Sequence, residues 1–291
     1  MSAPSAARIL SARSISSRIR GDRAFSAGMG LLTAIAVVPL LVIVGYVLVR
    51  GAAAINWRFL TTLPKPMGEE GGGIANALLG SAVVVGIAGL IAVPVGVLAG
   101  IFLAESRRSR IAPVARLSVE VLMGLPSIVI GVIAWLWVVK PMRSFSGLSG
   151  GVALSMIMLP VVTLATEETL RLIPVSLREA SLALGVSYPR TVLKVLVPAA
   201  TSGIVTGILL GVARALGETA PLLFTAFGSP YLVASPLKPM ETLPHAIFTL
   251  ATSPYDSAHL MAWGASFILM VLVLTLNLLT RLVTARWNVK F

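Results

Sequence analysis

The sequence predicts an all-α polytopic membrane protein with six transmembrane helices. Three observations lead there. Of its 291 residues, 57% are hydrophobic and only 12% are charged, about half the charged share of a soluble domain. The mean hydropathy is +0.95. The apolar residues also gather into six runs, at 28–49, 74–103, 117–139, 150–170, 201–227 and 258–280. Each is near the ~20 residues that cross a bilayer.

The composition excludes several function classes. A net charge of +12 would suit a nucleic-acid partner. Here, however, the basic residues sit at the ends of apolar runs, where membrane proteins carry them, so no nucleic acid is expected. The chain has no cysteine, which removes disulfides, thiol nucleophiles and cysteine metal sites. His245 and His259 lack ligand spacing and are expected to be solvated loop side chains. No metal site is expected. No paired carboxylates or nucleophile–base set falls at membrane depth, so no catalytic residue is expected either.

Residues 1–27 are a basic cytoplasmic segment carrying Arg8, Arg13, Arg18, Arg20 and Arg23. The first transmembrane helix, 28–49, exceeds the 7–15 apolar residues of a cleaved signal, so it is read as a span although "GAAA" follows at 51–54. Counting Lys and Arg on alternate sides gives 16 against 6, with Arg214 left inside a span. The basic side is cytoplasmic, which places both termini there. The outer loops are then 50–73, 140–149 and 228–257. The last holds five prolines, each fixing a backbone angle. Within it, "ETLPHAIFTLATS" reads as a short amphipathic helix. This stiff loop suits docking of an external partner as well as it suits a lid over the bundle.

Inside the spans, Gly86, Gly96 and Gly100 are expected to pack helices. Asn76 and Asn277 have the chemistry to bond between them. Ser127 follows Pro126 in the third span, where a hydroxyl can satisfy backbone freed by a proline. Glu120 reads as interfacial. No internal repeat is visible.

The segment "RLIPVSLREASLALGVSYPRTVLKVLVPAA", 171–200, is the most informative. Ser176 and Glu179 have capping-box spacing. Gly185 stands where a helix end needs a left-handed residue. The helix between, Leu177 to Leu184, would be only ~12 Å long, and Pro189 would open a second helix leading into the fifth span. So short a helix is unstable alone in water. Leu177, Leu182 and Leu184, with Ala180 and Ala183, offer it an apolar surface suited to a groove in another protein. It has few basic residues to hold it on anionic lipid.

"EASLALGVSYPRTVLKVLVP", Glu179 to Pro198, resembles the E-A-A-x3-G-x9-I-x-L-P signature of permease subunits of bacterial ABC importers. Glu179, Ala180, Gly185 and Pro198 match. Ser181 replaces the second Ala, and Val195 and Val197 replace Ile and Leu. "GGGIANALLGS", "GLPSIVIGVIAW", "TEETLRLIPVSLREAS" and "ARALGETAPLLFTAFG" resemble the phosphate-importing branch of that family. These stretches lie between 71 and 228, and the first 25 residues fall outside the resemblance. It implies a type I ABC importer transmembrane domain over 71–283, with a coupling helix at 176–185. Ser176, Arg178, Glu179, Ala180 and Gly185 would then meet the ATPase subunit.

The resemblance further implies that one six-span chain makes half of a pore. Its partners would be a second permease subunit, two ATP-binding subunits and an extracytoplasmic phosphate-binding protein, in a bacterial cytoplasmic (inner) membrane and its lipid. The chain holds no G-x-x-x-x-G-K-[ST] loop. ATP is therefore expected on the partner subunit, with no cofactor and no enzyme activity here.

The fifth span contains "GVARALGETAPLL". At about 100° per residue, Gly203, Gly207, Gly211, Arg214, Glu218 and Pro221 share an arc of about 80°. Glycines four apart let a neighbouring helix approach closely, so this face is expected to meet protein. Arg214 and Glu218, at i,i+4, can reach each other. Charged residues in spans commonly mark a substrate path, and a guanidinium suits an oxyanion such as phosphate. Arg214, Glu218 and the neighbouring Thr219 are the leading pathway candidates, with Glu218 holding Arg214 until the anion competes. An ion pair that only joins helices would explain the same two residues. Glu168 and Arg171, with Glu167, close the fourth span and are read either as an exit gate or as a solvated helix end. Ser127 completes the pathway set. A permease for molybdate or sulfate, or a stand-alone ion-coupled carrier, would use the same charges.

Overall fold

The computed structural model describes the backbone of residues 6–287 and the side chains of 19–282, except at Met67, Glu70, Arg107 and Arg108. Part of the charge count (the side chains of Arg8, Arg13, Arg18, Arg107, Arg108, Arg286 and Lys290) lies outside the described residues. Among the described residues, all regular structure is helical apart from an isolated bridge between Phe227 and Met240. The chain divides into two units, Met1–Val49 and Arg50–Phe291.

The described residues of the first unit lie within α1, Ala6–Ala52, which runs unbroken from the basic segment through the first span. Leu31, Leu32, Leu40 and Leu41 are all exposed. An apolar surface all round suits lipid.

The second unit begins with α2 (Trp57–Thr61), α3 (Ala75–Glu105) and α4 (Ile111–Gly124). Then α5 (Ser127–Ala134) passes through a π-helical turn at Trp135–Val139 into α6 (Lys140–Met142). The long α7 (Gly147–Leu172) leads to α8 (Val175–Ala183). Next, α9 (Tyr188–Thr191) passes through a π turn at Val192–Leu196 into α10 (Val197–Ala199). The chain ends with α11 (Thr201–Leu216), α12 (Ala220–Leu223), α13 (Leu243–Ala251) and α14 (Asp256–Trp287). Both π turns stand two residues before a proline, Pro141 or Pro198. A proline donates no amide, so the ladder slips there to an i→i+5 bond, Lys140 N–H to Trp135 O and Val197 N–H to Val192 O.

Four helices, α1, α3, α7 and α14, are long and apolar enough to cross a membrane alone. Two bent pairs complete the six, with angles of 107° at Leu125–Pro126 and 68° at Ala200. The third span is thus broken rather than straight. Leu125 is extended (φ −69°, ψ 136°), because the ring of Pro126 disfavours helical backbone in the residue before it. The fifth span is also shorter than its apolar run. Its helix stops at Leu216, and Gly217 forms the cap.

The core of this unit forms on α7, whose Leu154, Met158 and Val162 are fully buried. On one side α3 brings Gly96 against Val162 and Gly100 against Thr166. On the other, α11 brings Gly203 against Thr169, Gly207 against Ala165 and Gly211 against Met158. A Cβ added at Gly207 would stand 2.3 Å from that of Ala165, so the glycine face of the fifth span does meet protein. Gly86 differs from expectation. It is exposed with open space around it, because it faces away from α7.

Other polar residues also settle differently. Asn76 bonds the Ser229 carbonyl in the outer loop (2.7 Å), and Asn277 bonds its own helix at Val273 (3.0 Å). Neither links two spans. The histidines are not solvated loop residues. His245 lies in α13, 13% exposed and 2.6 Å from Glu241, while His259 in α14 stands 2.7 Å from the Ser253 carbonyl. Helix α13 is the short helix expected in "ETLPHAIFTLATS".

Candidate functional site

Arg214 and Glu218 come together, but loosely. Arg214 Nε and Glu218 Oε1 are 3.8 Å apart, beyond hydrogen-bonding reach, with side chains 46% and 20% exposed. Arg214 sits two residues before the end of α11, while Glu218 lies past it, its amide on the Ala215 carbonyl. The helical arc drawn through Gly203 therefore does not extend to Glu218 and Pro221. After Gly217 the chain turns, and Pro221 packs in α12 against Gly131 of α5, where a Cβ would meet its Cα at 2.7 Å. Thr219 precedes α12 and is half-buried.

One apolar cluster ties this turn to the break in the third span. Leu125 and Ile130 share it with Ala215 and Leu222, so the neighbours of Ser127 and of Arg214 pack together. Ser127 is the first residue of α5. Its hydroxyl makes no hydrogen bond among the described residues, so it does not repair the backbone freed by Pro126. The amides of Val129 and Ile130 take the Pro126 carbonyl as the first bonds of α5. What remains is an uncapped helix start, which carries partial positive charge.

At the far end of α7 the charges are held tightly. Glu167 is 1% exposed, and its Oε1 accepts from Arg171 at 2.6 Å and from Arg116 of α4. Glu168 does not share in this. It is exposed and pairs with nothing among the described residues, since it projects from α7 about 100° round from Glu167. Arg116 is 51 residues from Glu167; no local spacing signals that partnership, which only the packing of α4 on α7 creates.

The segment after α7 begins at Pro174. Ser176 and Glu179 do not form a capping box, because Pro174 occupies the cap position and no side chain caps α8. The other end matches expectation. Gly185 has φ +78°. Its amide bonds the Leu182 carbonyl, and that of Val186 bonds Ser181 O, which is a Schellman motif. Glu179, Ala180 and Gly185 are exposed, as are Leu182 and Leu184, the latter at 85%. Ser181 is buried, and its hydroxyl pairs with that of Thr191 in α9 at 2.9 Å. Arg178 reaches back to Glu105 at the end of α3 (2.5 Å), which also accepts from Tyr188. So α8 projects an apolar face while remaining tied to α3 and α9.

These features define a class: a multi-pass membrane protein whose spans are broken by prolines, with a short apolar helix projecting at one end. The solved structures it resembles agree in fold. The inward-facing methionine ABC transporter MetNI aligns with a TM-score of 0.60 at 20% identity, over 74% of this chain and 94% of that one. A chain of an amino acid ABC transporter crystallised with histidines gives 0.51 at 20%, over 73% and 92%. The family described as binding-protein-dependent transport system inner membrane component matches residues 96–289. The phosphate transport system permease protein PstA of Yersinia pestis is 40% identical over 81% of each chain. That of Haemophilus influenzae is 42% identical over 77% of this chain and 79% of its own. A probable PstA from Methanocaldococcus jannaschii is 36% identical over 89% and 92%.

The chain belongs to the binding-protein-dependent transport system inner membrane component family. It is accordingly a multi-pass membrane protein that works as one component of a larger transport system.

Proposed function

We propose that the chain is a permease subunit forming half of the translocation pathway of an ATP-driven inorganic phosphate importer. What carries this is its kinship, over about four-fifths of its length, with proteins named phosphate transport permeases. The chemistry of Arg214 supports it. A half-exposed guanidinium beside a loosely held carboxylate, packed through Ala215 against the uncapped start of α5, is suited to a mobile oxyanion. Glu218 holds Arg214 between turnovers, and phosphate displaces it. Thr219 and Ser127 add hydroxyls along the same path. Arg171 and Glu168 stand near its exit.

The domain of residues 71–283 then pairs with a second permease subunit to complete the pore. Residues 1–27 and both termini are cytoplasmic, in a bacterial inner membrane. Helix α8 docks in a groove of an ATP-binding subunit, one of two, through its exposed Leu182 and Leu184. Ser176, Arg178, Glu179 and Ala180 accompany them, and Gly185 sets its end. That subunit binds ATP; this chain hydrolyses nothing and carries no cofactor. A phosphate-binding protein delivers substrate at the outer loops.

Reconstitution with these partners tests the assignment. Phosphate accumulation that requires internal ATP is the expected result. Accumulation of molybdate or sulfate in its place, or uptake driven by a proton gradient without ATP, would overturn it.

A further inference from the structure

Where the ends of α3 and α7 meet the start of α8 there is a partly open cavity of about 120 Å³. Ala104, Leu170, Arg171, Pro174, Arg178 and Leu196 line it. Four observations concern what it holds. Two guanidinium side chains face it, while the carboxylates that pair with them, Glu105 and Glu167, are not among its lining residues. Arg178 gives Nη2 to Glu105, yet its Nε is buried without a hydrogen-bond partner. A buried donor on a charged group is costly to leave unmet. Helix α8 starts at the cavity wall with no side-chain cap and no acidic residue in its first turn, so its positive end is unanswered. Finally, no carboxylate is among the lining residues, the exposed Glu168 and Glu179 lying outside the cavity.

We propose that this cavity, beside the exit of the path, is a second oxyanion site that takes phosphate, distinct from the one at Arg214. One water needs roughly 10–15 Å³ of such space, so the cavity has room for a tetrahedral anion. Arginine forks are matched to its oxygens. The ligand bridges Arg171, at the end of α7, and Arg178, on α8. On the importer assignment above, the cavity opens on the delivery side. Imported phosphate then stiffens the joint between the spans and the ATPase contact and slows further import.

The test uses the complete transporter in vesicles with ATP inside, the binding protein outside, and a lumen holding phosphate or chloride at equal ionic strength. Lumenal phosphate should lower initial uptake on the order of fivefold or more, the lower end of ordinary coupling between sites. Arg178→Lys keeps the charge facing Glu105 but lacks an Nε–H; relative to its own rate in chloride, it should lose that response. Vesicles of phosphate-free glycolipid separate the two sources of the ligand. A response confined to them means that a phospholipid headgroup fills the site in ordinary membranes. No response in either bilayer, or an equal response in Arg178→Lys, overturns the proposal. Uptake of a different oxyanion would sink the importer assignment instead. Independently of transport, phosphate should slow modification of Arg178 by phenylglyoxal in the solubilised complex, read by peptide mass spectrometry. Equal labelling with and without phosphate would also overturn the site.

Discussion

Two arginine–glutamate groups stand at opposite ends of this chain's packed helices, and they are built differently. At Glu167 a buried carboxylate is gripped by Arg171 and by Arg116 of another helix, with the Arg171 contact at 2.6 Å. At Glu218 the only paired arginine among the described residues, Arg214, is 3.8 Å away and half-exposed. A buried carboxylate bonded by two guanidinium groups holds structure, because losing it breaks charge-assisted hydrogen bonds. An exposed pair beyond hydrogen-bonding distance contributes little to stability and leaves its arginine free to exchange partners. The first group therefore clamps α4 to α7. The second is where a travelling anion can compete.

Substitutions can break or sharpen that contrast. The largest effect is expected at the clamp. Glu167→Ala leaves Arg116 and Arg171, each more than a third exposed, without their shared partner, and losing hydrogen bonds to a charged group costs about 1.5–3 kcal/mol. Thermal unfolding of the solubilised complex should show it, with Arg116→Ala less severe because Arg171 remains on Glu167. Equal melting of Glu167→Ala and wild type would mean that the clamp holds nothing.

Next is the packing between the two ends. Gly207→Leu forces a side chain into the 2.3 Å gap at Ala165, and overpacking of this kind costs about 1–3 kcal/mol. The same assay measures it. A third, smaller effect belongs to α8. Gly185→Asp places a side chain at φ +78°, a conformation costing an L-residue roughly 1–2 kcal/mol. Its consequence should be local. The protein still inserts, ATP hydrolysis continues, and uptake fails, as with Glu179→Lys. Normal uptake in either variant would remove α8 from the coupling contact. Smallest in stability is Arg214→Ala, expected to shift unfolding by less than about 1 kcal/mol.

The contrast also shows what could be read from the sequence. The left-handed Gly185 and the glycine face at 203, 207 and 211 follow from local spacing and match the structure, while of the six apolar runs four are single helices and two are bent pairs. Arg214–Glu218 was legible for the same reason, as neighbours one turn apart. What spacing could not give depends on chain direction or on distant packing. The break at Leu125–Pro126 turns the third span by 107°, although hydropathy runs through it unchanged. Pro174 took the cap position from Ser176, since a proline fixes φ and leaves the serine inside the first turn. The Arg116–Glu167 and Arg178–Glu105 pairs join residues 51 and 73 positions apart. Charges near the ends of different spans give no sign of which will meet.

The claim that the loose pair serves transport and not assembly is tested most directly by Arg214→Ala in the reconstituted importer. Phosphate uptake should fall by tenfold or more, about 1.4 kcal/mol in the transport barrier, while complex yield and melting stay near wild type. Uptake at the wild-type rate would contradict the account and leave Arg214 and Glu218 as structural charges.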